Sequence, residues 1–340
     1  MTSRERLRRA IEFTGPDRAP LWPRFEGTAW IRHGRALLEL LDKYPVDLGG
    51  RHEVPDYRKQ PLTWTDDWGC GWRRERKGFF GTVVQHPLED RDTLKAYRFP
   101  DYTQPEYDER FDNVVRRYAE RDRDRYAMTH VEYGVLWYRM WWLRGMANAM
   151  EDTARDDGFI EELRDRILET RLGYLRRILK ADVDGVGFGD DWGTQDALMI
   201  SPDRWRVLFK PAYKRLFDEV HAAGKHVILE TDGCTTDILE DWAEIGVDLL
   251  SVQLNVVGLD NAARLRGRTC VYSDPDRQDL LPNSSPEAVA EHVREIVETF
   301  NTPKGGLVGC LYVTEGVPLE NVEAALDAFL RYGQCGEADD

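Results

Sequence analysis

The chain has 340 residues, of which 41% are hydrophobic and 32% charged, and its formal net charge is −15. This acidic balance argues against nucleic-acid binding, which needs a basic surface, and no window approaches the roughly 18 apolar residues of a membrane span. The first six residues lack an apolar signal core, and the five cysteines are scattered without a CxxC pair. We therefore expect a cytoplasmic protein that keeps its thiols reduced.

The first half of the chain predicts an irregular start to the fold. Apolar periodicity and a capping-box spacing between Thr2 and Glu5 predict an amino-terminal helix. The predicted elements are, in order, a helix over 3–13, a strand over 17–25, a helix over 37–44 and a short strand over 45–48. Tryptophans, glycines and charges then interrupt the rhythm, and we interpret residues 50–125 as hairpins and a charged helix inserted above a scaffold.

From residue 126 onward the pattern becomes regular, and most predicted strands are followed by a helix. The strands predicted here span 127–131, 185–189, 226–230, 248–252, 269–273 and 306–310. Together with the two earlier strands they number eight, and the alternation with helices implies that they are parallel. We therefore expect one TIM (β/α)8 barrel domain over residues 1–340, with the 50–125 insertion over its mouth. An open doubly wound sheet is the alternative, but no GxGxxG motif follows an early strand.

Two carboxylates follow the apolar strand 227–229 and are the main candidates for chemistry. Glu230 and Asp232 alternate along the chain, so both side chains should point the same way, towards the end of the barrel where active sites lie. Two acids in this position are costly to bury unless they are used, so we predict catalysis or metal binding. The alternative is that they bind loop amides or pair with an arginine.

Other strand ends supply further candidates. His130 ends the third strand and suits a base or a metal ligand, although a hydrogen-bonded core histidine fits the same pattern. Asp190 and Asp191 follow the next strand and face opposite ways, so we expect one in the site, with Asp190 as a candidate catalytic acid, and the other capping a turn. The candidate substrate-binding residues are Arg24, Trp68, Glu132, Asp191, Gln253, Asn255, Tyr272, Asp274 and Gln278.

Several short segments share their order and spacing with a known family. They are residues 4–6, 16–20, 65–69, 190–195, 200–202, 210–211, 244–248 and 318–321. Together they resemble the uroporphyrinogen decarboxylase superfamily, which includes corrinoid-linked methyltransferases, over nearly the whole chain. This resemblance implies the same barrel.

The chain departs from the true decarboxylases just after the first strand. Those enzymes carry an Arg-Gln-Ala-Gly-Arg run there, whose arginines bind the carboxylates of the porphyrinogen. Here residues 22–28 keep one arginine, Arg24, and add a glutamate, Glu26. An acidic protein without that arginine pair suits a polycarboxylate substrate poorly, which disfavours uroporphyrinogen decarboxylation.

The methyltransferase branch carries a His-x-Cys-Gly zinc motif where this chain has Glu230 and Asp232, and a distal cysteine close to the position of Cys310. The resemblance therefore implies a metal set of Glu230, Asp232 and Cys310. Oxygen ligands suit Mg²⁺ or Mn²⁺ at least as well as zinc. A buried cysteine that only fills space is the alternative for Cys310.

The resemblance implies methyl transfer between a small molecule and a corrinoid, which a separate protein would carry because this chain shows no corrinoid-binding module. A metal-free decarboxylase of a smaller acid, using Asp190 or Asp232, is one alternative. A non-catalytic barrel that binds a ligand is another. Family habit implies a monomer or a homodimer.

Overall fold

Short apolar runs form ten strands in the computed structural model, which describes residues 1–49 and 53–336. The strands are β1 (Leu21–Phe25), β2 (Thr63–Thr65), β3 (Gly71–Arg73), β4 (Thr82–Gln85), β5 (Met128–His130), β6 (Gly185–Gly189), β7 (His226–Glu230), β8 (Leu249–Ser251), β9 (Cys270–Ser273) and β10 (Leu307–Val313). Seven of them form one parallel sheet in the order β1-β10-β9-β8-β7-β6-β5. The sheet curls as a TIM-type barrel, which confirms the predicted fold class.

Fourteen α-helices surround and connect these strands in the described ranges. They are α1 (Ser3–Ile11), α2 (Gly27–Leu41), α3 (Asp108–Ala119), α4 (Trp137–Arg144), α5 (Met146–Ala154), α6 (Phe159–Ile178), α7 (Pro202–Leu208), α8 (Lys210–Ala222), α9 (Leu239–Glu244), α10 (Leu254–Val257), α11 (Leu259–Ala262), α12 (Leu280–Asn283), α13 (Pro286–Phe300) and α14 (Leu319–Tyr332). The predicted capping box of α1 is present, since Thr2 and Glu5 exchange side-chain and backbone hydrogen bonds. None of these helices combines the length and the apolarity needed to cross a membrane.

The predicted strand over residues 45–48 is wrong. The amides of Asp47 and Leu48 both donate to the single carbonyl of Leu21, at 2.9 and 3.2 Å, so the segment contacts β1 at one point and forms no strand ladder. Leu48 is nevertheless buried in the same interior cluster as Trp22 of β1 and Tyr126 just before β5. This irregular segment therefore packs an apolar side chain with the two edge strands of the seven-stranded sheet.

Helix α1 packs against the barrel interior at the amino-terminal end of the strands. Its buried residues Leu7 and Ile11 belong to the same cluster as Ile228, Leu249 and Val308 from three strands. A larger cluster of buried side chains lies between the strands and the surrounding helices. The interior is therefore a packed core at this end, which leaves the opposite end of the strands for a site.

A buried carboxylate ties α1 to the start of β1. Asp47 is fully buried and accepts hydrogen bonds from Arg6 Nη1 (2.8 Å), Arg18 Nη1 (2.8 Å) and the Leu21 amide (2.9 Å). Arg6 also pairs with Asp17 at 2.6 Å. Arg6, Asp17 and Arg18 of segments 4–6 and 16–20 thus belong to this network, at the end of the barrel away from the candidate acids.

The insertion carries a second, antiparallel sheet in the order β2-β3-β4. Asp66 organises the connection between β2 and β3, because its carboxylate accepts bonds from the amides of Trp68 and Cys70 and from Trp72 Nε1. Arg139 of α4 pairs with the same carboxylate at 2.7 Å. The segment 65–69 is therefore fastened to the barrel scaffold by an ion pair.

Replacing Asp47 tests the ion-pair network at the amino-terminal end of the barrel strands. Asp47→Ala should lower the free energy of unfolding by about 3–5 kcal/mol, because it leaves two arginines beside β1 without their buried partner. Urea denaturation measures the change. Asp42→Ala, at an exposed position five residues earlier, is the control and should change the stability by less than about 0.5 kcal/mol. Equal stabilities of the two variants would contradict this account.

Candidate functional site

An ion pair spans the carboxyl ends of two well-separated strands. Arg24, in β1, holds Glu230, the last residue of β7, through two contacts: Nη1 to Oε1 at 2.7 Å and Nη2 to Oε2 at 2.8 Å. Burial favours the neutral form of Arg24, but Glu230 outweighs it and the pKa of Arg24 lies well above its ordinary value. Glu230 is therefore held by a permanently charged bidentate partner.

A second ion pair lies beside the first. Arg277 binds Asp232 at 2.6 Å and lies 3.8 Å from Asp274, which follows β9. The side chain of Tyr312 contacts both cations, since its ring centre is 5.5 Å from Arg24 and 4.8 Å from Arg277. Sequence reasoning missed Arg277, and its one signal is a basic residue three positions after Asp274 in the same strand-end loop.

Asp191 is the acid whose surroundings are most unusual. Tyr133 donates to Oδ1 at 2.9 Å and Tyr138 to Oδ2 at 2.6 Å, and the Asp232 amide donates to Oδ1 at 2.9 Å. Burial, followed by the negative charge of Asp232, raises the pKa of Asp191 to about 7. A partly buried carboxyl of this kind exchanges its proton near neutral pH, as a general acid or base must.

Asp190 has a different place from the one predicted. It is fully buried, and its carboxylate accepts the amides of Leu136, Trp137 and Tyr138 at 2.6–2.9 Å and the Tyr213 hydroxyl at 2.6 Å. These amides begin α4, which has no side-chain cap of its own. Asp190 is enclosed among protein donors, so the predicted catalytic position does not match its surroundings.

His130 ends β5 and faces the same mouth. His130 is exposed and makes no hydrogen bond within the described chain, yet neighbouring barrel side chains keep part of the solvent away from its ring. That enclosure lowers the pKa of His130, while the charge of Glu230 raises it and that of Arg24 lowers it. The imidazole is therefore neutral near pH 7 and can accept a proton.

The predicted metal set does not fit a divalent cation in this arrangement. Glu230 and Asp232 each contact an arginine, and a fixed positive charge beside a carboxylate opposes a cation there. Cys310 is buried, which raises the pKa of its thiol, whereas metals bind the thiolate. Among the described residues, no group of three or more His, Cys, Asp or Glu side chains is arranged to hold a metal ion.

The remaining predicted residues divide into buried and accessible groups. Trp68 and Tyr272 are about 1% exposed. Trp68 lies beneath Arg139 at 4.7 Å, whereas Tyr272 stacks on Trp22 at 4.8 Å and feels the charges of Arg24 and Glu230. Gln253 is also buried and accepts the Gly233 amide at 2.8 Å.

The accessible group stays available for substrate binding. Asn255 donates to Gln278 at 2.8 Å on the exposed rim. Glu132 is partly buried and pairs with Arg110 and, at 3.0 Å, with Arg171. Although burial opposes it, these arginines lower the pKa of Glu132 to about 2, so it stays ionised.

Asp274 is a buried carboxyl with one free oxygen. Its Oδ2 has no hydrogen-bond partner within the described chain, and burial raises its pKa to about 6, with Arg277 lowering and Asp232 raising it. Asp274 therefore carries a proton in weakly acidic solution, close to the Asp232–Arg277 pair.

A cavity of about 570 Å³ lies between the insertion and the barrel, and we name it the mouth cavity. Its lining residues are Glu26, Gly27, Gln60, Trp64, Asp66, Trp72, Arg74, Gly78, Phe79, Phe80, Glu132, Tyr133, Arg139, Trp142 and Tyr312. Two of these lining residues also contact the site: the Tyr133 hydroxyl donates to Asp191, and the Tyr312 ring lies beside Arg24 and Arg277. Aromatic walls with a few charged groups are typical of small-molecule sites.

Comparisons with known proteins agree with this architecture. A curated uroporphyrinogen decarboxylase of Bacillus thuringiensis (strain Al Hakam) is 29% identical over 143 residues, which are 40% of this chain and 37% of the relative. The corresponding enzyme of Thermus thermophilus is 28% identical over 177 residues, or 51% of this chain and 48% of the relative. The chain thus spans less than half the length of these curated relatives.

A solved methyltransferase from Methanosarcina mazei has the same fold, with a TM-score of 0.69 over 98% of this chain and 99% of its own, at 18% identity. The family model "Uroporphyrinogen decarboxylase (URO-D)" matches residues 138–332, more than half of the chain. This protein belongs to the uroporphyrinogen decarboxylase (URO-D) family.

Proposed function

We propose that the protein moves a methyl group between a small molecule and a corrinoid carried by a separate protein, with Asp191 handling the proton of the reacting heteroatom. The observation that carries this proposal is the placement of Asp191, which two tyrosines hold between the mouth cavity and Asp232. The likeness in fold to a methyltransferase over the full chain supports the reaction class.

The chain's residues have distinct roles in this reaction. As the bond between methyl and heteroatom breaks, the electron pair stays on the heteroatom, which takes a proton from Asp191 at that moment or directly afterwards. Tyr133 and Tyr138 orient the carboxyl of Asp191. His130, neutral and without a hydrogen-bond partner in the described chain, is the second candidate base. The corrinoid supplies only the cobalt that exchanges the methyl group.

The proposal includes no resident metal, because arginines occupy both carboxylates of the predicted set. Arg24 and Arg277 are each already paired with a carboxylate, so neither offers an unmatched positive charge to a polyanion. A neutral or zwitterionic substrate suits such a mouth better than a polyanion does.

Decarboxylation of a smaller carboxylic acid is the second candidate. A protonated Asp191 favours it as well, because a carbanion left by CO₂ needs a proton. A tetrapyrrole with many carboxylates fits less well, since Arg24 and Arg277 are already paired. Release of CO₂ without any change in an added corrinoid would favour this second candidate.

Methyl transfer is tested with free cob(I)alamin and a panel of a phenyl methyl ether, methanol and trimethylammonio carboxylates. The protein should accelerate the loss of the cob(I)alamin absorption with at least one donor. Asp191→Asn should slow that reaction by about 10²–10⁴-fold with a donor whose leaving group needs the proton. The exposed Asp196→Asn is the control and should keep the full rate. Absence of acceleration with every donor would contradict methyl transfer.

The pH dependence follows from the raised pKa of Asp191. The acid acts while protonated, so the rate with such a donor should fall as the pH rises through about 7. The folded pKa exceeds the ordinary value of 3.8, so the folded state binds the extra proton and Asp191 makes stability fall between about pH 4 and pH 7. The melting temperature of Asp191→Asn should therefore rise relative to that of the wild type over this range. A difference in melting temperature that stays constant over this pH range would show that the pKa of Asp191 is not raised.

Metal content is the third test. After incubation with Zn²⁺, Mn²⁺ or Mg²⁺ and desalting, we expect substoichiometric metal by elemental analysis, since Arg24 and Arg277 compete for the carboxylates. Glu230→Gln should leave the metal content unchanged. One equivalent of metal in the wild type, lost in Glu230→Gln, would overturn the metal-free proposal.

A further inference from the structure

We propose that the mouth cavity binds a zwitterion, an N-methylated ammonium carboxylate, with its cation against Glu26 and the aromatic walls and its carboxylate against Arg74. That the protein transfers a methyl group of this ligand rests on the proposed function. The binding itself rests only on the charges and side chains that line the mouth cavity.

Glu26 carries the negative charge of the cavity that no cation balances. It follows β1, and among the described residues its carboxylate accepts hydrogen bonds only from the hydroxyls of Tyr312 and Thr28, both at 3.2 Å. The other two acids of the lining are paired with arginines, Asp66 with Arg139 and Glu132 with Arg110 and Arg171. No ion pair to Glu26 occurs among the residues that the structure describes. A ligand cation would complete this side of the cavity.

Arg74 carries the matching positive charge. Its guanidinium donates to the carbonyls of Pro61, Phe79 and Phe80 and lies 4.6 Å from the ring centre of Trp64. These contacts hold the side chain in place, but within residues 1–49 and 53–336 it has no carboxylate partner. Since a guanidinium has more N–H groups than these three carbonyls use, it can still bind a carboxylate. The other lining arginine, Arg139, is already paired.

The wall between the two charges is aromatic. Its members are Trp64, Trp72, Phe79, Phe80, Tyr133, Trp142 and Tyr312. An N-methylated ammonium has few or no N–H groups to donate, and the faces of aromatic rings attract such cations. Hydroxylated or phosphorylated ligands would need more hydrogen-bond partners than this wall provides.

The orientation of the ligand follows from where its two anchors lie. Glu26 and Tyr133 belong to the barrel, and Tyr133 bonds to Asp191, whereas Arg74 belongs to the insertion. The methylated end therefore faces Asp191 and the carboxylate end faces the insertion. An ammonium that gives up a methyl group at this end keeps the electron pair of the broken bond and becomes a neutral amine, whose lone pair can then accept the proton of Asp191.

Calorimetric titration of the full chain tests the binding without any turnover. The probes are trimethylglycine and its homologues with one and two more methylene groups. Two isosteres of trimethylglycine are the ligand controls: 3,3-dimethylbutanoate lacks the cation and choline lacks the carboxylate. At least one zwitterion should bind, and choline and the uncharged-head analogue of the best binder should each bind about tenfold or more weakly. Absence of binding by all three zwitterions, or equal binding of an isostere, would overturn the proposal.

Two variants assign the anchors. Glu26→Gln should weaken the best zwitterion about tenfold and leave the uncharged-head analogue unchanged, and Arg74→Gln should weaken both. The matched controls are Arg76→Gln and Glu315→Gln, an exposed ion pair beside the cavity whose residues do not line it. Unchanged binding in Glu26→Gln or Arg74→Gln would overturn the assignment.

This result is separate from that of the cobalamin assay. A zwitterion that binds through Glu26 and Arg74 without losing a methyl group would overturn methyl transfer and leave the binding site. Methyl transfer from an ether or methanol with no zwitterion bound would overturn the binding site and leave methyl transfer.

Discussion

The bidentate pair between Arg24 and Glu230 is the constraint on which the mouth of the barrel depends. It joins the carboxyl end of β1 to that of β7, and its two charge-assisted contacts fix the direction of both side chains. Once Arg24 holds Glu230, Asp232 two residues later lies within reach of Arg277. The strand end where the sequence resemblance placed a zinc motif instead carries two carboxylates that are each paired with an arginine. This arrangement suits the positioning of Asp191, the proposed proton-transferring acid, better than it suits metal coordination.

That acid depends on a second constraint, the fully buried Asp190. Its carboxylate collects three consecutive amides at the start of α4, so the helix begins at a fixed place although Leu136 offers no side-chain cap. This start fixes Tyr138 on α4, and Tyr138 holds Asp191. Asp190 therefore determines where α4 begins, and Asp191 lies in the mouth, because successive side chains of an extended chain point in opposite directions. The position of Asp191, the proposed proton donor, therefore depends on the backbone hydrogen bonds that Asp190 accepts.

The barrel and the residues at its strand ends could be predicted, because the parallel strands are apolar runs whose polar residues follow at one end. The roles of Asp190 and Asp191 could not be separated, since the choice depends on amides more than fifty positions earlier in the chain. The strand over 45–48 was wrong because Asp47 takes part in an ion network that its local sequence does not reveal. The metal set followed family alignment, which does not show that Arg24 and Arg277 reach its carboxylates.

Charged side chains that form ion pairs differ in role from those that do not: the paired ones stabilise the barrel, and the unpaired ones remain free to bind a ligand. Asp47, Asp66, Glu132, Glu230 and Asp232 all meet arginines, and such pairs contribute order while leaving little net charge to attract a substrate. Glu26 and Arg74 differ because, in the part of the chain that the structure describes, each is held by neutral groups only. Both line one aromatic cavity, on the barrel side and on the insertion side respectively. A ligand that carries both charges would bridge insertion and barrel, and so shield Asp191 from water during proton transfer.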